Sequence, residues 1–379
     1  MCENKGKGGK TLKKVLLFVR GHAVFFIALI CAIVTCFFVP PTKAYFDYID
    51  FKTLSCLLAT LAVVCALKNI KFFSIVARKI IHATPNFRVC VLALIYITFI
   101  GSLFIANDMA LITFLPLGWY VLSETGNEKY TPWLFVLQNI SANLGGMLTP
   151  FGNPQNLYLY SKFNIPTLEF MGIMLVPFLV AVAMLTVSAL FFPRTKMELA
   201  KKEPFVFKKG RSAIYLVLFA LTVLMVFGII PYYIALAIVL VAILVMDRYA
   251  LLRVDYFLLG TFAAFFIFAG NMSNIDTVRA LFSGLLEKST LVFSALSCQV
   301  ISNVPSAILL SQFTDNYKEL LLGVNIGGTG TLIASLASLI TFAEYSRTGV
   351  GSKLKYIGVF TLLNVIFLVA LLGVCALIV

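Results

Sequence analysis

Charge is what this chain has least of. Only 12% of its 379 residues are Asp, Glu, Lys or Arg, while 61% are hydrophobic; soluble domains carry about 25% charged residues. A water-soluble globule is excluded, and the mean hydropathy of +0.99 fits an all-α polytopic membrane protein. Acid is scarcer than base, with 16 acidic residues against 30 Lys and Arg and a net charge of +14. Most of the basic residues fall in five blocks (1–20, 68–88, 193–211, 247–253 and 344–355), each beside an apolar run. That is the pattern of positive-inside topology, and it leaves no continuous basic surface for nucleic acid. Catalytic signatures are missing too: there is no HExxH, GxSxG or Walker loop, so no enzyme is expected. The eight cysteines form no CxxC pair and sit mostly in apolar spans, as small buried hydrophobes without a disulfide framework or zinc site. No cofactor is expected beyond a coupling Na⁺.

What is present is a stretch that does not belong on a lipid-facing helix. Gln138 to Tyr158, QNISANLGGMLTPFGNPQNLY, concentrates Asn, Gly and Pro among long apolar runs. Irregular backbone at membrane depth persists only where it is buried in protein or lines a wet cavity. A degenerate copy runs from Asn325 to Tyr345, NIGGTGTLIASLASLITFAEY. Aligning the two places Asn143 on Asn325, Gly145 and Gly146 on Gly327 and Gly328, and Thr149 on Thr331. Asn153 and Asn156 then fall on Ser335 and Ser338. Paired broken segments in two halves point to a transporter's binding site.

Read in order with spans of about 20 apolar residues, the chain predicts an inverted repeat of about nine crossings. A basic cytoplasmic segment, 1–20, precedes helix 21–39, which is too long for a signal h-region and ends at Pro40-Pro41 without a small-x-small cleavage site. Helix 51–67 returns to a stretch where Phe72, Phe73, Ile75 and Val76 alternate with Arg78 and Lys79, as in an interfacial amphipathic helix. The first membrane repeat, 21–192, then holds a re-entrant hairpin (89–122, tip at Ala106-Asn107-Asp108) and a broken helix (132–160). A basic cytoplasmic linker, 193–211, leads to the second repeat, 212–379. The uncharged stretch Ser212–Met246 would make a helix of about 52 Å, so it is read as two spans turning at Pro231. A second hairpin (278–312, tip at Ser302-Asn303) and a second broken helix (319–343) follow with opposite orientation. This places the protein in the cytoplasmic membrane with the N-terminus inside and the C-terminus outside.

Asp108 is the only carboxylate expected at membrane depth, where ionisable groups are costly and functional by default. Ionised, it could ligate Na⁺ with Asn107 and freed backbone carbonyls; neutralised, it could carry a proton; it could also cap the returning arm of its hairpin. Asn107 and Asn303 take corresponding hairpin tips, and their amides offer both donors and acceptors. Ser302 adds a hydroxyl, and Asn303 joins Asn107 and Asp108 as a candidate for the coupling ion. Gly145, Gly146, Gly327 and Gly328 are expected to permit unwound backbone, freeing N–H groups to hold an anion. Thr149, Asn153, Asn156, Thr329, Thr331 and Ser335 could supplement that site. No Lys or Arg is clearly at membrane depth, which favours a small or weakly charged anion taken with a cation.

The segments IANDMALITFLPLGWYVL, ANLGGMLTPFGNPQN, QVISNVPSAILL and GVNIGGTGTLIASLASLI resemble the ion transporter superfamily. Within it they are most similar to the citrate-transporter-like anion permeases, a group that includes divalent-anion/sodium symporters and arsenite permeases. The resemblance implies two hairpins and two unwound helices in an inverted repeat, elevator-like alternating access, and often a homodimer. It implies a secondary active transporter moving a di- or tricarboxylate or an inorganic oxyanion with Na⁺ or H⁺; arsenite efflux and Na⁺/H⁺ antiport are its alternatives. Family tips read Ser-Asn-Thr, whereas here they read Ala106-Asn107-Asp108 and Ser302-Asn303-Val304.

Overall fold

The computed structural model describes residues 18, 22–43, 45–197 and 208–379. The basic segment 1–17 and most of the linker 193–211 lie outside the described residues. Among the described residues the chain is helical, with one isolated bridge between Asn86 and Lys196. Seven helices are long and apolar enough to cross a membrane. Exposed Val217, Val245 and Leu377 on the outer surface are the surface a bilayer solvates.

In order, the helices are α1 (Ala23–Cys36), α2 (Phe51–Asn69), α3 (Phe72–His82), α4 (Phe87–Phe104), α5 (Asn107–Glu124), α6 (Thr131–Gly145), α7 (Pro154–Lys162) and α8 (Thr167–Leu190). After the linker come α9 (Lys209–Val226), α10 (Tyr232–Leu252), α11 (Tyr256–Ser273), α12 (Asp276–Lys288), α13 (Thr290–Ile301), α14 (Asn303–Leu310), α15 (Tyr317–Ile326), α16 (Leu336–Thr348) and α17 (Lys353–Ile378). Local chemistry explains many of the starts. Side chains of Asp50, Asn86, Asp255, Ser289, Asn316, Ser335 and Ser352 each accept a backbone N–H in the first turn of the helix they precede. Pro132 and Pro154 occupy first-turn positions of α6 and α7, where a missing N–H costs nothing.

α4 and α5 form the first re-entrant hairpin, and α13 and α14 the second. α6–α7 and α15–α16 are the two broken helices. Within 278–312 the re-entrant pair begins only at Thr290, because Asp276–Lys288 forms a separate amphipathic helix that matches α3 in the first half. The packing repeats as well. α1 lies on α11 as α10 lies on α2; α4 packs on α6 as α13 packs on α15; α5 meets α16 as α14 meets α7; α8 and α17 meet each other. This is the inverted repeat, with α9 as the one helix that has no partner in the scheme.

The crossing of α4 and α6 is tight because Gly145 has no side chain. A Cβ there would overlap the Phe99 carbonyl group, and one at Gly323 would lie 2.6 Å from the Leu291 carbonyl oxygen across the matching α13–α15 crossing. Gly172, inside α8, faces open space. Gly145→Ala is therefore predicted to destabilise the fold by about 1–3 kcal/mol, while Gly172→Ala is neutral or slightly stabilising. Thermal unfolding of the two variants in detergent checks the pair; equal midpoints would refute the close-crossing argument.

Candidate substrate and ion site

A cavity of about 300 Å³ lies where the two hairpin tips meet the two broken helices. Its lining includes Asn107 and Asp108 at the start of α5, Gln155 beside Pro154 at the start of α7, Ser302 and Asn303 at α14, and Ser335 beside Leu336 at the start of α16. Four helix N-termini thus face one space. At α5, α7 and α16 the helix start offers first-turn N–H groups and the positive end of its dipole, while α14 offers the dipole alone, since its Asn303 and Val304 N–H groups are already donated and Pro305 has none; together they favour negative charge. The opposite wall is mainly apolar: Val24 and Ile27 of α1, and Leu258, Phe265 and Phe268 of α11, with Thr261, whose hydroxyl is donated to Phe257 O. Among the described residues no Lys, Arg or His lines the cavity, and Asp108 is its one carboxylate.

The two tips share a local design. The Asn107 amide oxygen accepts from the Asp108 N–H at 2.9 Å, and the Asn303 amide oxygen accepts from the Val304 N–H at 2.9 Å. Each amide thereby folds over its own helix start. The second tip is the more strained, because Ser302 sits at φ 74°, ψ 159°, a region nearly reserved for glycine. It is held there by Asn303 N–H donating to Ala334 O at 3.0 Å and the Ser302 hydroxyl donating to the same oxygen at 3.3 Å.

Asn143, on α6, ties the site together. Its side-chain oxygen accepts from the Asn107 amide at 3.0 Å and from the Ser335 hydroxyl at 2.8 Å, joining the first tip to the second broken helix. Its counterpart Asn325 donates to Asn156 at 2.6 Å and accepts from Gln155 at 3.4 Å. Within this network four buried polar atoms have no partner: Asp108 Oδ1, Asn143 Nδ2, Asn153 Oδ1 and Gln155 Oε1. Unpaired buried polar atoms are rare in folded proteins and call for a ligand, ion or water.

The remaining expected site residues divide by role. Asn156 lies off the cavity; its amide donates to Gly146 O, Met147 O and Thr149 O at 3.1–3.2 Å, the carbonyls freed by the break. Gln299 does the same for the second break, donating to Gly327 O at 2.9 Å and Thr329 O at 3.1 Å while accepting from Thr331 N–H. Thr149 donates to Leu103 O, Thr329 to Ile326 O and Thr331 to Gln299 O, so their hydroxyls hold the fold. Gly145, Gly146 and Gly327 keep right-handed helical φ/ψ. Close packing, not left-handed backbone, accounts for these glycines: Cβ atoms at Gly327 and Gly328 would crowd Ala295 and Asn303. Asn153 is outside this lining and borders a separate small cavity with Ala106 and Pro154. Gln155 is in the lining and was not singled out from sequence, although it belongs to the conspicuous GNPQN run. Gln299 lacked any such signal.

Two hairpins, two broken helices and a cavity with buried amides, a carboxylate and hydroxyls at their meeting point define a membrane transporter of the inverted-repeat type. A family model described as citrate transporter (CitMHS) matches residues 15–317, and the chain belongs to that family. It is 33% identical over 329 residues to an uncharacterized transporter, MJ0456, of Methanocaldococcus jannaschii, covering 86% of this chain and 90% of the relative. It is 28% identical over 336 residues to the inner membrane protein YbiR of Escherichia coli, covering 85% and 87%. The family match ends at Tyr317, so the second broken helix lies beyond it.

Asn156→Ala is predicted to cost about 2–4 kcal/mol, since it leaves buried carbonyls of the break without their amide donor and removes one of the two acceptors of the Asn325 amide. Thermal unfolding in detergent measures it, and a loss below 1 kcal/mol would contradict the stapling role. At the second tip, Ser302→Gly should unfold at a higher temperature than Ser302→Ala, which keeps the strain and loses the hydroxyl. The reverse order would mean that the Ser302 backbone is not strained.

Proposed function

We propose that the protein is a secondary active transporter that carries a small anion together with Na⁺ or H⁺ by alternating access. The observation that carries this reading is the convergence of four helix N-termini on one cavity whose only fixed charge is Asp108. The N-termini and the tip amides favour an oxyanion. The unpartnered oxygen of Asp108 is a hard donor suited to Na⁺ or to a proton. Without a co-bound cation, Asp108 would repel the anion; with one, the site is electrically compensated. Cation and anion then bind as a pair, which is coupling.

The mode of movement follows the polarity of the contacts. Side-chain hydrogen bonds join α1 to α11 (Asn271 to Thr35, 3.1 Å) and α2 to α10 (Asn69 to Asp247, 3.0 Å). Others join the two broken helices to each other. Among the described residues, no side-chain hydrogen bond links α1, α2, α9, α10 or α11 to the hairpins or broken helices. An apolar boundary between two internally bonded blocks supports an elevator-like displacement of one block along the other.

Counterflow in proteoliposomes preloaded with citrate, succinate or arsenite, with and without Na⁺ or a pH gradient, tests the proposal. Saturable, cation-dependent exchange of a carboxylate is expected. Movement of arsenite alone would assign the protein to oxyanion efflux, and Na⁺-driven proton flux without anion movement to antiport. Asp108→Asn should fold normally but lower cation-driven accumulation roughly 5–150-fold, the range of a typical coupling energy. Unchanged transport and unchanged pH dependence in that variant would remove Asp108 from the coupling step.

A further inference from the structure

A cavity larger than the candidate transport site lies elsewhere among the described residues. It is a groove of about 700 Å³ on the outer surface, formed where α6, α8 and α17 diverge, with Trp133, Leu137, Met184, Val187, Leu362 and Ile366 among its walls. Its volume is that of a ligand pocket, but its chemistry suits no polar ligand. The Ser188 hydroxyl in its lining is already donated to Met184 O at 2.8 Å. The groove opens sideways: Val187 is 55% and Leu362 54% exposed on the face a bilayer would cover.

One end of the groove is aromatic and basic. Phe87, Tyr130 and Phe192 pack together there with ring centroids 5.5–6.1 Å apart. Arg88 donates to the Phe192 carbonyl at 2.6 Å, and Lys129 lies over the Tyr130 ring at 5.2 Å. Arg194 follows two residues after Phe192, and Lys196 bridges to Asn86, the neighbour of Phe87. Glu128 is the carboxylate on the same turn as Lys129. Among the described residues no carboxylate forms an ion pair with Arg88, Lys129 or Arg194. A dry lateral slot ending in unpaired cations beside interfacial aromatics has the form of an amphiphile with an anionic head.

We propose that this groove binds an anionic phospholipid, with an acyl chain between α6, α8 and α17 and its headgroup on Arg88, Lys129 and Arg194. The basic end lies at a membrane face, where juxtamembrane Lys and Arg attract anionic lipid, and the Tyr130 and Trp133 rings sit where aromatic belts meet headgroups. The site is independent of the transported substrate. It fixes one lipid against the two helices, α8 and α17, that close the two halves.

The chain's two tryptophans make a direct test possible, since Trp133 is in the groove wall and Trp119 lies on α5. The full chain carrying Trp119→Phe is reconstituted into vesicles of phosphatidylcholine and phosphatidylglycerol, with bromine on the chains of one lipid or of the other. Brominated phosphatidylglycerol is expected to quench Trp133 more strongly at equal mole fraction, with an apparent preference of roughly fivefold or more, as one cation alone provides. K129Q/R194Q, which alters only exposed side chains, should bring that preference most of the way to one, and adding R88Q should abolish it. Equal quenching by the two lipids before any of these changes overturns the proposal, leaving bulk lipid. So does a preference that survives all three substitutions. Protection of Trp133 from both brominated lipids also overturns it, because a second copy of the chain then covers the face.

Discussion

Everything about this fold depends on how a helix can be broken where there is no water to satisfy its backbone. A break frees carbonyl and N–H groups, each costing several kcal/mol in hydrocarbon if left unpaired. Here one side-chain amide per break takes up the freed carbonyls: Asn156 holds three at the first and Gln299 holds two, with a third bond to Ala295 O, at the second. The carbonyls are thus absorbed within the protein. The starts of α7 and α16 are left facing the cavity, so the break turns the positive ends of two helices to one side only. The tips turn α5 and α14 in the same sense, α14 by its dipole alone because its first N–H groups are already donated.

The repeat is close in architecture and unequal in chemistry. Asn107 and Asn303 fold over their helix starts at the same distance, yet the next residue is Asp108 in one half and Val304 in the other. The residue before is Ala106 in one and a strained Ser302 in the other. Two half-sites that share a scaffold therefore carry one charge between them. Under the proposed function, a single cation per cycle compensates that charge, and the second tip contributes hydroxyl and amide donors to the anion alone.

Much of the fold was legible because it obeys length and polarity. Helix ends followed caps and basic blocks, the Pro231 turn divided an over-long apolar run, and both breaks showed as amides and glycines where only apolar residues belong. Asp108 stood out for the same reason. Three features did not show. Gly145 is needed because the Phe99 backbone passes it, and that crossing joins residues 46 positions apart in a contact no local pattern encodes. Thr331 and Asn156 looked like ligands but spend their polar groups on the fold. The helix Asp276–Lys288 was merged into the hairpin because its hydrophobic face continues into the apolar arm that follows Ser289.

The amide network also constrains how access can alternate. Asn143 to Ser335, Asn325 to Asn156 and Asn139 to Ser338 all cross from one half of the chain to the other. Opening the cavity by parting the broken helices would rupture these buried bonds together and strand polar groups in an apolar interior. Sliding the whole unit along Val24, Ile27, Phe265 and Phe268 breaks none of them, because that wall is mainly apolar and the hydroxyl of its Thr261 is already donated to Phe257 O. Dispersion contacts are individually weak and readily exchanged for equivalents one step along the wall. Under the proposed function, the polar seam within the unit and the mainly apolar wall beside it favour displacement as a rigid body between two facing states.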